Sequence, residues 1–160
     1  DYINKYGLDN KIEVRFGDGL SVMTDDINTI VISGMGALNI INILKDINKY
    51  PNISKLVLSP NNDFKLLRKE ICKLGFKIKK EEIVLEKGKY YLISEFIKGK
   101  DKVNYFLGKL DLNARIVKSY YKYVYNNNRA ILNNLSWFNK LKKISLIKEN
   151  YMIRKHIPVK

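Results

Sequence analysis

Three short stretches carry small and polar residues of the kind that handle ligands. The first is FGDGL, residues 16–20, an acid between two glycines. The carboxylate of Asp18 can accept hydrogen bonds from an exocyclic amine or a ribose hydroxyl. Gly17 and Gly19 let a ligand approach the backbone closely, although the same triplet also makes a plain turn. The second is SGMG, residues 33–36. Ser33, Gly34 and Gly36 offer backbone N–H groups with little side-chain bulk, and the thioether of Met35 is a soft contact for a flat ring or a charged group. The third is LSPNND, residues 58–63. Asn61 and Asn62 carry amides able to read a base edge, or they open a helix that Asp63 caps.

Other chemistries find little support. The dinucleotide fingerprint G-x-G-x-x-G fails because Asn39 stands where its third glycine belongs, and no Gly-Lys-Ser/Thr follows to make a P-loop. There is no G-x-S-x-G and no H-E-x-x-H, and His156 is the only histidine. Cys72 is the only cysteine, so no internal disulfide and no metal cluster are expected. Its neighbours Ile71 and Leu74 mark it as a packing residue. Glu81 and Glu82, flanked by lysines, read as a solvated strand end. What remains is a reaction that needs mainly positioning, such as group transfer from an activated cofactor to a good nucleophile.

The elements that must position these loops alternate. Residues 11–16 (KIEVRF) alternate in polarity and predict a strand ending at Gly17. NTIVISG, residues 28–34, reads as a continuous apolar run, as a strand covered on both faces requires. Leu38, Ile41, Leu44 and Ile47 follow at helical spacing. SKLVLSP predicts a further strand, and Phe64, Leu67, Ile71 and Leu74 a further helix that Gly75 ends. Residues 76–98 read as an antiparallel hairpin around EKGK. Strand and helix in alternation predict an open, mostly parallel α/β sheet, with the loops after its strands sharing one crevice. The opening residues read as a helix end, so at least one βα unit is expected to be absent upstream.

Near residues 99–104 the composition shifts. Residues 1–100 hold 17 basic and 13 acidic side chains, whereas residues 101–160 hold 13 basic and 3 acidic. The second part also interleaves tyrosines with its charges (RIVKSYYKYVYNNNR), which suits a polyanion partner, although a solvated lysine-rich surface has the same composition. Two apolar stripes, Ile116 to Val124 and Leu132 to Ile144, predict a helical hairpin turning at YNNNR, with a third helical piece and a frayed tail. The expected division is therefore 1–100 and 101–160. No apolar run approaches the ~20 residues of a membrane span, so no membrane partner is expected. A lone cysteine fits a reducing, cytoplasmic compartment. The oligomeric state stays open, and a monomer is compatible.

KIEVRFGDGL, TIVISGMG, LVLSPNND and EKGKYYLISEF together resemble the bacterial tRNA (adenine(22)-N1)-methyltransferases, over about residues 1–100. The resemblance implies a Rossmann-like class I methyltransferase sheet, here lacking its first βα unit, with a C-terminal α-helical coiled-coil hairpin. It implies S-adenosyl-L-methionine as cofactor and N1 of a tRNA adenine as methyl acceptor. By matching position, Gly17, Asp18 and Gly19 would face the cofactor's adenine. Ser33, Gly34, Met35 and Gly36 would line its methionine end and the target base. Asn61 and Met35 would serve catalysis. Tyr91 would touch RNA, and Lys118, Lys122, Arg129, Lys142 and Lys143 would hold tRNA phosphates. Ser59 departs from the family's usual glutamine, and Ala37 from its glycine. Two other readings stay open: a methyltransferase acting on another RNA, and a non-catalytic RNA-binding remnant without the first cofactor loop.

Overall fold

The computed structural model describes residues 2–136 and 138–158. After a short helix α1 (Tyr2–Lys5) come β1 (Thr29–Ser33), α2 (Ala37–Leu44), β2 (Lys55–Ser59), α3 (Phe64–Lys73), β3 (Phe76–Glu86), β4 (Lys89–Lys98), α4 (Arg115–Asn134) and α5 (Lys140–His156). The four strands form one sheet in the order β1-β2-β4-β3. Only β1 and β2 run parallel; β4 is antiparallel to both β2 and β3. The sheet is thus mixed rather than mostly parallel. A hairpin supplies two of the four strands, and its second strand inserts beside β2 against the direction of the parallel pair.

The strand expected at residues 11–16 does not form. The segment joins no ladder, and Ile12, Val14 and Phe16 stand exposed. Alternating polarity favours a strand only when a neighbour supplies backbone partners, and no described strand pairs with this one. Arg15 ties the segment down instead, through Glu13 and through the Thr24 hydroxyl at 2.7 Å.

Two apolar clusters hold the molecule together. The first packs α2 and α3 against the sheet through Ile40, Leu44, Ile47, Leu56, Leu58, Leu67, Ile71 and Phe96. The stripe on α2 is rotated from the expected one: Ala37, Ile40 and Leu44 are buried, and Leu38 faces solvent. The second joins Ile83 and Leu92 of the hairpin to Leu107, Leu110, Val117, Tyr121, Ile153 and Ile157.

The helical part also differs from expectation. α4 runs unbroken through YNNNR, and the turn lies after Asn134. Asn128 is buried there, and its Nδ2 donates to Asn150 Oδ1 (3.2 Å) and Glu149 Oε2 (3.3 Å) on α5. An asparagine read as turn chemistry is instead an interhelical clasp. The second apolar stripe fails: Phe138, Leu141 and Ile144 are exposed, whereas Leu146, Ile153 and Ile157 are buried. Among the described residues this part holds two helices, Arg115–Asn134 and Lys140–His156, so the third piece is part of α5. Ile157 packs into the core rather than fraying. Val159 and Lys160, the rest of the expected tail, lie outside the described residues. Among the described residues no helix is long and apolar enough to cross a membrane.

Candidate active site

Parallel pairing sets the site. Ser33 pairs with Ser59, so β1 and β2 end side by side and their following loops share one rim. Those loops are laced together. Gly34 N–H donates to the Ser59 carbonyl (3.2 Å), and Asn61 N–H donates to the Met35 carbonyl (2.8 Å). The Asn61 side chain adds a third tie, with Nδ2 donating to the Gly34 carbonyl at 2.8 Å. Ser33, Gly34 and Asn61 are exposed and Met35 and Gly36 half-buried, so the rim keeps polar groups in reach of a ligand.

Glycine is required at position 34 for its backbone, not for lack of room. Its φ is +75°, and a Cβ there would meet nothing within 4 Å. The loop therefore turns sharply and leaves open ground beside it. Gly36 precedes α2 as N-cap without a side chain to offer. Asn62 fills that role from the other loop, its Oδ1 accepting from Ala37 N–H at 3.0 Å. This satisfies one of the orphan donors of the first helical turn. Asp63 is a left-handed residue (φ 46°) whose carboxylate accepts from Leu66 N–H at 3.2 Å, the cap expected for α3.

Tyr91 joins this neighbourhood. With Val31, Ser33, Val57, Ser59 and Ile93 it lines a groove on the open face of the sheet. Lys89 Nζ lies 5.1 Å from the centre of its ring. Gly17, Asp18 and Gly19 lie toward the other end of α2 from this rim. Asp18 precedes a short 3-10 turn (Gly19–Val22), its N–H donating to Ser21 Oγ at 3.1 Å. Gly19 sits against Ile43, near the C-terminal end of α2, while Gly36 caps the N-terminal end. At 1.5 Å per residue the two loops are about 10 Å apart along that helix. Gly17 serves packing, since a Cβ there would overlap the Val22 side chain.

The basic residues are spread over two helices. Lys118, Lys122 and Arg129 lie on α4, and Lys142 and Lys143 on α5. Arg129 stands over the Tyr125 ring at 5.9 Å. Neither helix has an acid in its first turn, and Arg115, Lys118, Lys142 and Lys143 stand near the positive ends of their dipoles. That arrangement costs stability unless an anion approaches.

One polar cluster was not legible in the sequence. Arg68 (2% exposed) and Glu81 (6%) form a buried ion pair, Nε to Oε1 at 2.8 Å. Arg68 Nη1 donates to the carbonyls of Tyr105 (2.9 Å) and Phe106 (2.8 Å). Glu81 also accepts from Ser94 Oγ (2.6 Å) and Lys109 N–H (2.7 Å). Glu81 is therefore no solvated strand end. A bulge between Ile78 and Lys80 shifts the alternation, so Glu81 and Ile83 follow Phe76 and Ile78 inward. Burial pushes the neighbouring Tyr120 phenol up to about 12, and raises Tyr121 likewise.

Comparison with known proteins bears on this geometry. The family model described as tRNA (adenine(22)-N(1))-methyltransferase matches residues 1–156. A Bacillus subtilis (strain 168) protein of that description is 35% identical over 91 residues, which is 56% of this chain and 38% of the relative's length. A solved structure from Streptococcus agalactiae, a protein in the NADB-Rossmann superfamily, superposes with TM-score 0.87 at 30% identity, over 98% of this chain and 72% of that one. The M. capricolum TrmK structure in complex with S-adenosyl-homocysteine gives 0.79 at 28% identity, over 98% of this chain and 73% of that one. The sheet and its helices are accordingly a Rossmann-superfamily arrangement.

Proposed function

This chain belongs to the tRNA (adenine(22)-N(1))-methyltransferase family, and from that premise we propose that it moves the methyl group of S-adenosylmethionine to N1 of adenine 22 in tRNA. The observation that carries the reading is the rim where Gly34, Met35, Gly36 and Asn61 are laced together at the ends of two parallel strands. Ligands of open α/β sheets sit outside the carboxyl ends of the strands. A side-chain-poor loop with open ground beside Gly34 fits a bulky cofactor. When bound, S-adenosylmethionine supplies a sulfonium methyl that a nitrogen lone pair can attack, leaving a thioether.

The chain's own part is positioning. Ser33, Gly34 and Gly36 present backbone groups and exclude side-chain bulk, and Met35 offers a soft contact to the sulfonium region. Asn61 spends Nδ2 on the Gly34 carbonyl, so its Oδ1 remains to accept from the adenine N6 amine. That contact holds N1 toward the methyl group. N1 carries a lone pair, so no strong general base is needed, and the adenine must leave the RNA stack to reach the rim. Tyr91, beside Ser33 and Ser59, offers an aromatic face to the extruded base. Gly17, Asp18 and Gly19 contact the cofactor's adenine. We assign residues 1–100 to cofactor and target base, and residues 101–160 to tRNA phosphates through Lys118, Lys122, Arg129, Lys142 and Lys143. The setting is the cytoplasm, where tRNA is found.

The test is transfer of labelled methyl from S-adenosylmethionine to a tRNA transcript with adenine at position 22 and to one with guanine there. Label is expected only on the first, and Asn61→Ala is expected to lower the rate about 10- to 100-fold while folding normally. Equal labelling of both transcripts, or of rRNA instead, would remove the assignment. The unpaired segment 11–16 favours a second reading, an RNA-binding remnant without catalysis. Saturable tRNA binding with no methyl transfer would select it.

A further inference from the structure

Asn62 stands beside Asn61 at the rim, and both are exposed. Each amide has one end fixed by a backbone group of the loop at 34–37. Asn61 Nδ2 donates to the Gly34 carbonyl at 2.8 Å. Asn62 Oδ1 accepts from Ala37 N–H at 3.0 Å. These partners settle which end of each amide is oxygen, because a carbonyl takes only a donor and an N–H only an acceptor. The two amides therefore keep unlike ends. Asn61 keeps an acceptor, Oδ1, and Asn62 keeps a donor, Nδ2, neither with a hydrogen-bond partner among the described residues.

The backbone holds both amides to the same loop. Neighbouring Cα atoms are about 3.8 Å apart, and Asn61 N–H is itself tied to the Met35 carbonyl at 2.8 Å. The Asn62 amide lies along Gly36, its Oδ1 3.5 Å and its Nδ2 3.9 Å from where a Cβ would stand. The spare acceptor and the spare donor thus belong to one short stretch of rim.

An acceptor next to a donor matches one edge of adenine. On its Hoogsteen side adenine offers the N6 amine as donor and N7 as acceptor, the pair that asparagine and glutamine amides read. A donor on the Watson–Crick side would instead tie up N1, the atom that must attack. Guanine presents two acceptors, O6 and N7, so Asn61 Oδ1 would meet another acceptor there.

We propose that Asn62 is a specificity-determining residue for the methyl acceptor: its Nδ2 donates to N7 of the target adenine while Asn61 Oδ1 accepts from N6, which leaves N1 free. The proposal rests on the adenine-N1 methyltransferase reading and adds to it the edge by which the base is held.

The test is methyl transfer to two tRNAs that differ at one ring position, one with adenosine at position 22 and one with 7-deazaadenosine, in which C–H replaces N7. The wild type is compared with Asn62→Asp, which keeps an acceptor for Ala37 N–H but has no amide donor. Circular dichroism checks folding. The wild type is expected to favour adenosine by about 5- to 50-fold in kcat/KM, and Asn62→Asp to lose most of that preference. Changes that the ring substitution makes to N1 or to the tRNA act on both proteins alike, so the ratio of the two preferences isolates the contact. If Asn62→Asp does not fold, Asn62→Ser replaces it, since its hydroxyl can cap the helix but stops short of the Nδ2 position. A wild-type preference near one, or an equal preference in the variant, overturns the inference, and methylation of the adenosine tRNA would then leave the underlying reading in place. Absence of methyl transfer to either tRNA by the wild type would instead remove that reading, and the inference with it.

Discussion

The rim at residues 33–36 and 61–62 and the junction at Arg68 and Glu81 are both polar clusters, yet they are built in opposite ways. The rim is mostly exposed, made largely of backbone groups, and tied by neutral hydrogen bonds. The junction is dry, charged and closed, and it binds α3 and the hairpin to the loop that leads into α4. The contrast separates chemistry kept available to a ligand from chemistry spent on joining two apolar clusters. Only Nη2 of Arg68 is left without a partner among the described residues, and it lies against Gly108.

Removing one member of the junction should cause the largest change. Glu81→Ala strands a buried guanidinium and is expected to cost about 3–5 kcal/mol. Chemical denaturation measures it, and a loss below about 1 kcal/mol would mean that the pair is solvated. Alkali should reveal the same dryness. The Tyr120 phenol is raised to about 12 by burial, against about 10 in an unfolded chain. Below pH 10 both states keep the proton and stability is flat. Above it the unfolded chain releases the proton first, so stability falls with rising pH until about 12, by roughly 2–3 kcal/mol. Tyrosinate absorbance should therefore show phenols that ionise late and together with unfolding; a single titration near 10 for all 11 tyrosines would contradict it.

Gly108→Ala acts on the junction from above. The residue has φ +66°, and a Cβ would overlap Glu81 Oε2 and the Arg68 guanidinium. A loss of about 1–3 kcal/mol is expected from the backbone alone, read as a lowered melting temperature. The rim should respond least. Asn62→Ala removes the acceptor for Ala37 N–H and is expected to cost about 1 kcal/mol. A junction-sized loss from Asn62→Ala would mean that the rim, too, is structural.

Much of the local chemistry was legible. Asp63 caps α3, and Lys87 and Gly88 make the two-residue hairpin turn with φ of 49° and 78°, as a tight turn demands. Ser33, Gly34, Met35, Gly36 and Asn61 come together because β2 and β1 each end in polar, turn-forming residues. The cap and the hairpin turn rest on dihedral preference and hydrogen bonds within a few residues, whereas the meeting of the two loops also needs β1 to pair with β2 and is tied by hydrogen bonds such as that from Asn61 to Gly34, 27 positions apart.

Four features depended on contacts that sequence neighbours do not report. Residues 11–16 have a strand's alternation but no partner. One extra residue at the bulge turns Glu81 inward, where Arg68, 13 positions earlier, meets it. α4 continues through its asparagines because Asn128 finds Asn150 across the helix pair. Phe138 and Leu141 face solvent although their spacing is helical. The sequence determined the loops, caps and turns, because local dihedral energies are settled locally. Tertiary structure decided which strands pair and which polar groups are buried, because pairing and burial are won or lost between segments far apart in the chain.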